Sequence, residues 1–188
     1  MSVMDLVRPL DVVLLPLGFV RKKRVWNRSW PNVIDAIDLQ VSKGGDTATL
    51  NVGVLDRDVY RLCWDEEPPT LVDVASCTAA TRVGELLGDV DTWWNLSDES
   101  AVNELVRATE ATVVPFLDRL HSRKGMIDHF VAARVVERHY PPPIISLAIL
   151  KHLSGEETEA CTLLSSLGSS TTSAWRQAIE RVARHFGC

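Results

Sequence analysis

The amino-acid sequence predicts an α+β fold: an antiparallel meander of three to four strands packed with helices, followed by a C-terminal helical hairpin plus one helix. Apolar residues alternate with a period of two between residues 25 and 55, as in strands with one buried face. Before and after that region they recur every three to four residues, as in amphipathic helices. We expect residues 1–122 to form an α+β domain with an N-terminal helix and the sheet, and residues 123–188 to form a helical extension packed on the same domain.

The segment from Val3 to Leu15 is predicted to be a helix, because its apolar residues are spaced by three and four. Pro9 lies inside this segment, so we expect a break or kink near Arg8. Pro16 and Gly18 should end the helix.

Three short runs form the predicted meander: Val25–Arg28, Val33–Val41 and Ala48–Leu55. They are rich in β-branched and aromatic residues, which favour strands. The connections are short and contain Trp30-Pro31 and Gly44-Gly45, which are typical of turns. Because short connections join antiparallel neighbours, the three strands should follow one another in the sheet.

The region after the meander is harder to interpret. Arg57–Asp73 is polar and contains prolines, so it is predicted to be a long loop. A fourth strand is predicted around Ser76–Leu86, although its alanine-rich sequence fits a helix equally well. Ser97 is predicted to cap a helix that reaches about His121 and kinks at Pro115, unless the helix restarts there.

The last third of the chain is predicted to be helical. The expected helices are Met126–His139, Ile144–Leu153, Glu156–Leu167 and Thr172–Phe186. Pro141-Pro142-Pro143 should form a stiff connection between the first two. Gly155 leaves so short a link that the helices on either side should form an antiparallel hairpin.

Composition excludes several classes of protein. Hydrophobic residues make up 46% of the chain and charged residues 24%, so disorder is disfavoured. A net charge of −5 argues against attraction of the whole surface to nucleic acid or to an anionic membrane. No run approaches the ~20 apolar residues that span a bilayer. We therefore expect a cytoplasmic protein with no membrane partner.

The four cysteines are expected to be free thiols in a reducing cytoplasm. Cys63, Cys77, Cys161 and Cys188 are widely separated, whereas zinc ligands usually occur in close pairs. A small disulfide scaffold would also contain a higher density of cysteine.

Several short motifs occur in an order that is similar to one known family. They are Pro16-Leu17-Gly18-Phe19, Lys22-Lys23, Trp26, Asp38-Leu39-Gln40-Val41-Ser42 and Asn51-Val52-Gly53-Val54, followed by Cys77 with Arg82 and by Trp93-Trp94. In these motifs, over roughly residues 10 to 120, the chain resembles the bacterial family catalogued as domain of unknown function 4304. The resemblance supports the meander and implies no reaction, cofactor or catalytic residue. Small bacterial α+β proteins of this kind are often partners in toxin–immunity loci, an association that rests on fold-level analogy.

The best candidate site is a polar cluster on two neighbouring strands. Asp38 and Gln40 share one face of the second strand, and Asn51 lies on the third, within reach of cross-strand partners. The cluster predicts either a binding groove on the exposed sheet face or a buried network that fixes strand register. Only Asp38 could transfer a proton near neutral pH, so a structural or binding role is favoured over catalysis.

Tryptophans are the second group of candidates. Trp64, Trp93 and Trp94 lie in loop-like sequence, where an indole can anchor an interface or can pack inward. The expected working surface is the exposed sheet face with its flanking loops. Its predicted partner- or ligand-binding residues are Trp26, Asp38, Gln40, Asn51 and Trp94.

Arg21–Arg24 is the densest run of charge. It suggests a weak nucleic-acid site formed by Lys22, Arg24 and Arg28, with aromatic residues such as Trp26 available for stacking. Strand alternation divides the four charges between two faces, so a solvated edge strand is the favoured interpretation and nucleic-acid binding is not expected.

No motif indicates a cofactor or a metal. The acidic residues Asp65, Glu66, Glu67, Asp73, Asp89, Asp91, Asp98 and Glu99 lack the spacing of a calcium loop, and the five histidines form none of the usual metal-binding pairs. We expect a non-catalytic interaction protein that binds a protein partner, with toxin neutralisation as one form of that role. The alternative is a small-molecule-binding domain or a cryptic enzyme that uses the polar sheet face.

Overall fold

A computed structural model describes residues 3–88, 91–170 and 173–188. The described residues form two compact units. The sheet unit contains the residues up to Leu55 together with Thr70–Asp118, and the helical unit contains Asp56–Pro69 with Arg119–Cys188. The predicted α+β fold is confirmed, because an antiparallel sheet with helices is followed by several C-terminal helices. Packing of the extension on the sheet domain stays a prediction.

The sheet unit contains both strands and helices. Its strands are β1 (Val20–Lys22), β2 (Val25–Ser29), β3 (Val33–Val41), β4 (Thr47–Asp56), β5 (Ala79–Arg82) and β6 (Trp94–Asn95). Its helices are α1 (Val3–Leu14), α3 (Val83–Leu86), α4 (Ala101–Ala108) and α5 (Val114–Arg119), with a π-helical turn at Thr109–Val113. The helical unit contains α2 (Arg57–Trp64), α6 (Arg123–Ala132), α7 (Pro141–Leu153), α8 (Glu157–Ser170) and α9 (Ser173–Phe186).

The sheet of the described residues has six strands, of which five run in the order β1-β2-β3-β4-β5. The remaining strand, β6, pairs with the start of β4, at Thr47 and Ala48. The predicted meander is therefore present as β2, β3 and β4, and the uncertain fourth strand is β5. The basic run Arg21–Arg24, interpreted as a solvated edge strand, lies partly in β1, which forms a hairpin with β2 through Lys23 and Arg24.

The two sheet faces differ in character. The core face carries Trp26 on β2 and Ile37, its partner on β3, and both side chains are buried. The opposite face carries polar side chains and is called the polar face below. Its polar members are Asn27, Asp38, Gln40, Asn51 and Arg82. The period-two pattern of the sequence thus separates an apolar surface from a polar one.

A buried ion pair, called the Arg28 centre below, lies on the core face. Arg28 Nε is 2.7 Å from Asp35 Oδ2, and Arg28 Nη2 is 2.5 Å from Asp118 Oδ1. The guanidinium lies 4.7 Å from the ring centroid of Phe19 and 5.2 Å from that of Trp30. Because a buried charge is costly without partners, these contacts hold β2, β3 and α5 in one arrangement.

α1 is attached to the sheet by one carboxylate. Asp11 Oδ1 accepts hydrogen bonds from Trp26 Nε1 at 2.8 Å and from Arg21 Nε at 2.9 Å. Of the break or kink predicted near Arg8, the break is wrong, because α1 continues through Pro9, and the kink stays a prediction. A proline removes one backbone donor, and the buried stripe of the helix compensates for that loss.

The predicted loop over Arg57–Asp73 is wrong in its first half, which forms α2. Asp56 caps this helix by accepting hydrogen bonds from the backbone N–H groups of Asp58 and Val59. Val59 and Cys63, four residues apart, supply its buried side. An aspartate before such a pair indicates a helix start.

The helix predicted from Ser97 to His121 starts later and has an irregular interior. It begins at Ala101, because Ser97 instead donates a hydrogen bond to Asn95 Oδ1. The helix restarts close to Pro115, as one of the two expectations had it: the π-helical turn Thr109–Val113 ends the first part, and α5 begins at Val114.

The C-terminal helices are present with shifted bounds. The helix predicted over Met126–His139 ends at Ala132, and Val135–Arg138 is a 3₁₀ turn. Pro141–Pro143 is the first turn of α7 rather than a connection, because proline is well tolerated where N–H groups have no helical acceptor. The predicted α8–α9 boundary at Thr172 lies outside the described residues.

Two of the four cysteines are joined. Cys161 on α8 and Cys188 form a disulfide with a Cα–Cα distance of 5.5 Å, so the prediction of four free thiols is wrong for this pair. Cys63 and Cys77 are free, as expected. No helix among the described residues is long and apolar enough to span a bilayer.

Asp35→Ala should lower the free energy of unfolding by about 3–5 kcal/mol, because it leaves the Arg28 guanidinium buried without its main partner. Urea denaturation measures this decrease in the free energy of unfolding. The double variant Arg28→Met with Asp35→Leu should lose less, because it removes both charges. Arg61→Gln, which breaks an exposed pair with Glu67, should change stability little. Equal losses in Asp35→Ala and Arg61→Gln would contradict the buried ion pair.

Gly53→Ala should destabilise the sheet unit by about 1–3 kcal/mol through overpacking. A Cβ at Gly53 would lie 2.7 Å from the carbonyl oxygen of Ala79 and 2.8 Å from Cys77 Cβ. Thermal denaturation tests this, with Gly44→Ala as the control. The added Cβ at Gly44 would meet only the flexible carboxylate of Asp46, so that variant should melt near the parent temperature.

Candidate binding site on the polar face

The structure brings Asp38, Gln40 and Asn51 together on the polar face. Asn51 Nδ2 donates to Gln40 Oε1 at 2.9 Å and makes a long contact of 3.5 Å with Asp38 Oδ2. The strand alternation of β3 and β4 produces this contact, since all three side chains leave the sheet on the side opposite the core. The amide of Asn51 is therefore shared between two acceptors.

Arg82 completes the polar cluster. It lies opposite Asn51 in the β4–β5 register, and its guanidinium reaches Asn51 Oδ1 and Gln40 Oε1, each at 3.4 Å. Its strongest contact is with Asp91 at 2.7 Å, and this hydrogen bond lowers the pKa of Asp91. The guanidinium also lies 5.5 Å from the ring centroid of Trp93. Sequence reasoning did not assign Arg82 to the site.

Asp38 is the least satisfied member of the cluster. Its side chain is half-buried, and burial raises the pKa of its carboxyl group above the ordinary value of 3.8. The hydrogen bond from Asn51 and the charge of Arg24 oppose this effect, whereas the charge of Asp73 adds to it. Among the described residues this carboxylate has one hydrogen-bond contact, of 3.5 Å, which uses little of its acceptor capacity.

Asp38 lines a cavity of about 460 Å³ at the side of the cluster. Its lining residues are Asp38, Asn51, Asp73, Val74, Ala75, Ala80 and Thr81. Two carboxylates therefore contribute to one recess, here called the acidic recess. Asp89, which the sequence placed among the acidic candidates, lies outside the described residues.

The wall of the acidic recess is held to the sheet by a side-chain amide. Asn27 Nδ2 donates to the Val72 carbonyl at 2.9 Å, and the Val72 N–H donates to Asn27 Oδ1 at 3.0 Å. Asp73 then caps the 3₁₀ turn Val74–Ser76 by accepting from the Ser76 N–H. Asn27 was not a predicted site residue, and no local sequence pattern indicates a contact across 45 residues.

Two predicted members of the working surface are wrong. Trp26 is fully buried, because its register with Ile37 turns the indole to the core face. Trp94 is also buried, in β6 beside Ala48. The tryptophan that reaches the polar cluster is Trp93, which is half-exposed.

The predicted nucleic-acid set is not a single surface. Lys22 and Arg24 are exposed, but Arg28 is buried in the Arg28 centre and is neutralised by Asp35. The prediction that Arg28 is available to phosphate is therefore wrong. Trp26, proposed for base stacking, is inaccessible for the reason given above.

Residues 10–119 match the family described as Domain of unknown function (DUF4304). The match covers more than half of the chain, as the motifs of the sequence indicated. The chain belongs to this family. No curated protein and no solved structure matches the chain significantly. The DUF4304 domain ends at the last residue of α5 and contains all the residues of the polar cluster and the acidic recess.

The chemistry available in the DUF4304 domain at this site is recognition of a hydrogen-bond donor or a cation. Asn51 and Gln40 cannot transfer protons near neutral pH, and the Arg82 charge is paired with Asp91. Among the described residues, no group of three or more His, Cys, Asp or Glu side chains could hold a metal ion. Asp38 and Asp73 together offer acceptors and negative charge.

Asp38→Asn should stabilise the protein at pH 7 by less than about 1 kcal/mol, since solvent screens a half-exposed carboxylate. The folded-state pKa of Asp38 is raised above 3.8. Ionisation of Asp38 therefore lowers the free energy of unfolding of the parent as the pH rises through the folded-state pKa, and this loss is absent below pH 3.8. The variant and the parent should therefore converge near pH 3 in urea denaturation.

Asp91→Asn is the matched control, and its effect should have the opposite sign. Because the hydrogen bond from Arg82 lowers the pKa of Asp91, its stabilising contribution is present at pH 7 and is lost as the pH falls. If Asp38→Asn instead lowers stability at pH 7, then the Asp38 carboxylate is a structural acceptor of the network.

Proposed function

We propose that the chain is a non-catalytic interaction protein that binds a protein partner through the polar face, with a lysine or arginine side chain of the partner in the acidic recess. The supporting observation is the position of Asp38. Its half-buried carboxylate has one long hydrogen bond and lines the recess with Asp73. A cation placed between the two carboxylates would relieve their mutual repulsion and the desolvation of Asp38.

The shape of the acidic recess favours a side chain over a complete small molecule. Asp73, Ala75 and Ala80 in its lining are exposed, so the recess is open along this side. Small-molecule sites usually bury most of the ligand surface. A side chain needs less enclosure, because the rest of the partner covers the rim and excludes water.

The finer form of this proposal is a cytoplasmic bacterial protein that neutralises a toxin. It is supported by the role that small α+β proteins of this kind often have, which is an analogy at the level of the fold. Charge recognition suits that role, because complementary charges accelerate association and exclude wrong partners.

A small-molecule-binding domain or a cryptic enzyme is the second candidate. It is favoured by the raised pKa of Asp38 beside a cavity, an arrangement that is also found at catalytic carboxyl groups. In that case Asp38 would be the acid–base group and the polar cluster would orient the substrate.

N-acetylarginine methylamide should perturb the NMR signal of the Asn51 side-chain amide and of Thr81, with a dissociation constant in roughly the millimolar range for one isolated contact. The isosteric but neutral citrulline analogue should have little effect. Asp38→Asn combined with Asp73→Asn should abolish the response. An equal response to the arginine and citrulline analogues would rule out charge recognition.

A pull-down from the native cell then tests the protein partner. The parent chain and the Glu66→Gln/Glu180→Gln variant, which loses two charges from exposed positions, should capture the same stoichiometric partner. The Asp38→Asn/Asp73→Asn variant should lose it. Capture by all three proteins would place the interface elsewhere, and a small metabolite that depends on Asp38 would favour the second candidate.

A further inference from the structure

We propose that the β1–β2 hairpin is a second interaction site, which binds an extended acidic segment of a partner protein. In that segment an apolar residue and an acidic residue are two positions apart. The site, called the basic hairpin, consists of Val20–Arg24 and the adjoining residues Thr70 and Leu71. It shares no residue with the acidic recess, although the charge of Arg24 also acts on Asp38, and its test does not require the function proposed above.

Three positive charges of the basic hairpin are available to a partner. Arg21 is bound to Asp11, and its Nη1 also donates to the Lys23 carbonyl. Lys22, Lys23 and Arg24 are exposed, and in the part of the chain that the structure describes none of these three side chains forms an ion pair. They form a local positive surface on a chain whose net charge is −5.

A recess with a mixed polar and apolar lining adjoins these charges. It has a volume of about 500 Å³ and is lined by Gly18, Val20, Lys22, Asn27, Ser29, Thr70 and Leu71. Val20 is 72% exposed and Leu71 is 38% exposed, so two large apolar side chains border the recess. Exposed apolar side chains beside a recess with charged neighbours are typical of a protein-binding site.

The strand register determines the pattern that a partner must have. Val20 lies opposite Asn27 and Lys22 lies opposite Val25, so Val20 and Lys22 project from the same face two residues apart. An extended segment alongside β1 has the same spacing. It could place an apolar side chain against Val20 and Leu71 and a carboxylate at Lys22, with a further carboxylate near Lys23 or Arg24.

Charge complementarity selects this occupant over a second copy of the chain. If β1 paired with itself, the lysines of the two copies would face each other, which opposes edge-to-edge pairing. Nucleic acid would supply phosphates but no aliphatic side chain for the recess at Val20, and two residues that could have extended a nucleic-acid surface, Trp26 and Arg28, are buried.

Fluorescence anisotropy at low salt with a labelled six-residue peptide, leucine-serine-glutamate-serine-glutamate-serine amide, tests the site. We expect the peptide to bind the full chain and to shift the NMR signals of Val20 and Leu71. Lys22→Gln/Lys23→Asn/Arg24→Gln should weaken binding about tenfold, which corresponds to about 1.4 kcal/mol. Asparagine is used at Lys23 because the backbone there has a φ of +59°.

Two controls separate the site from a general effect of charge. Lys43→Gln/Lys124→Gln/Arg134→Asn removes the same charge from other exposed positions, with asparagine again at a positive φ, and should bind the peptide as the parent does. Val20→Ser should weaken binding of the leucine peptide but not of a peptide with serine in place of leucine. Circular dichroism melting verifies that each variant is folded.

Three results would overturn the proposal. The first is no binding of the peptide at low salt. The second is equal weakening in the two triple variants, which would mean a non-specific charge effect. The third is tighter binding of a twelve-nucleotide oligothymidine than of the peptide with the same dependence on Lys22, which would assign the basic hairpin to nucleic acid.

Discussion

The placement of the Arg28 guanidinium determines the arrangement of the sheet unit. The ion is desolvated, and only the combination of Asp35, Asp118 and two aromatic rings compensates for that cost. Asp35 is fully buried, whereas the Asp118 side chain is 51% exposed, so Asp35 carries more of the compensation. A slip of β2 by one residue would remove the pair and would turn Arg28 to the opposite face. The ion pair therefore fixes the register.

Register in turn determines which side chains form the polar face. With Arg28 and Trp26 directed to the core, Asn27 must project from the other side, where its amide binds both backbone groups of Val72. Asp38 faces the same side of the neighbouring strand, because it lies two residues from Ala36, the partner of Asn27. The site is thus a geometric consequence of the buried pair, and its members do not need to stabilise the fold themselves. Asp38 in particular has a weak hydrogen-bond partner, and burial raises the pKa of its carboxyl group.

Local patterns made part of this structure predictable. The bounds of β3 agree with the alternating run Val33–Val41, and the contact of Asn51 with Gln40 follows from alternation on adjacent strands. The burial of Arg28 was missed because it follows a basic run, although its main partner Asp35 lies opposite it in the β2–β3 hairpin; the contact with Asp118, 90 residues away, has no local signal. For the same reason the spacing of the cysteines did not reveal the Cys161–Cys188 disulfide, which joins residues separated by 27 positions. Sequence periodicity reports which face a residue occupies, but it does not report which distant group will compensate a buried charge.

The segment that contains Val72 contributes to both recesses of the polar face. Because Asn27 satisfies both the N–H and the carbonyl of Val72, this segment is attached to the sheet as if it were part of a further strand. Leu71 on one side of Val72 lines the recess beside Lys22, and Asp73 on the other side lines the acidic recess with Asp38. One short segment therefore contributes to two recesses with opposite charge. If both recesses bind as proposed, a ligand with a single sign of charge would be attracted at one recess and repelled at the other, so the partner would need basic and acidic groups in a defined order.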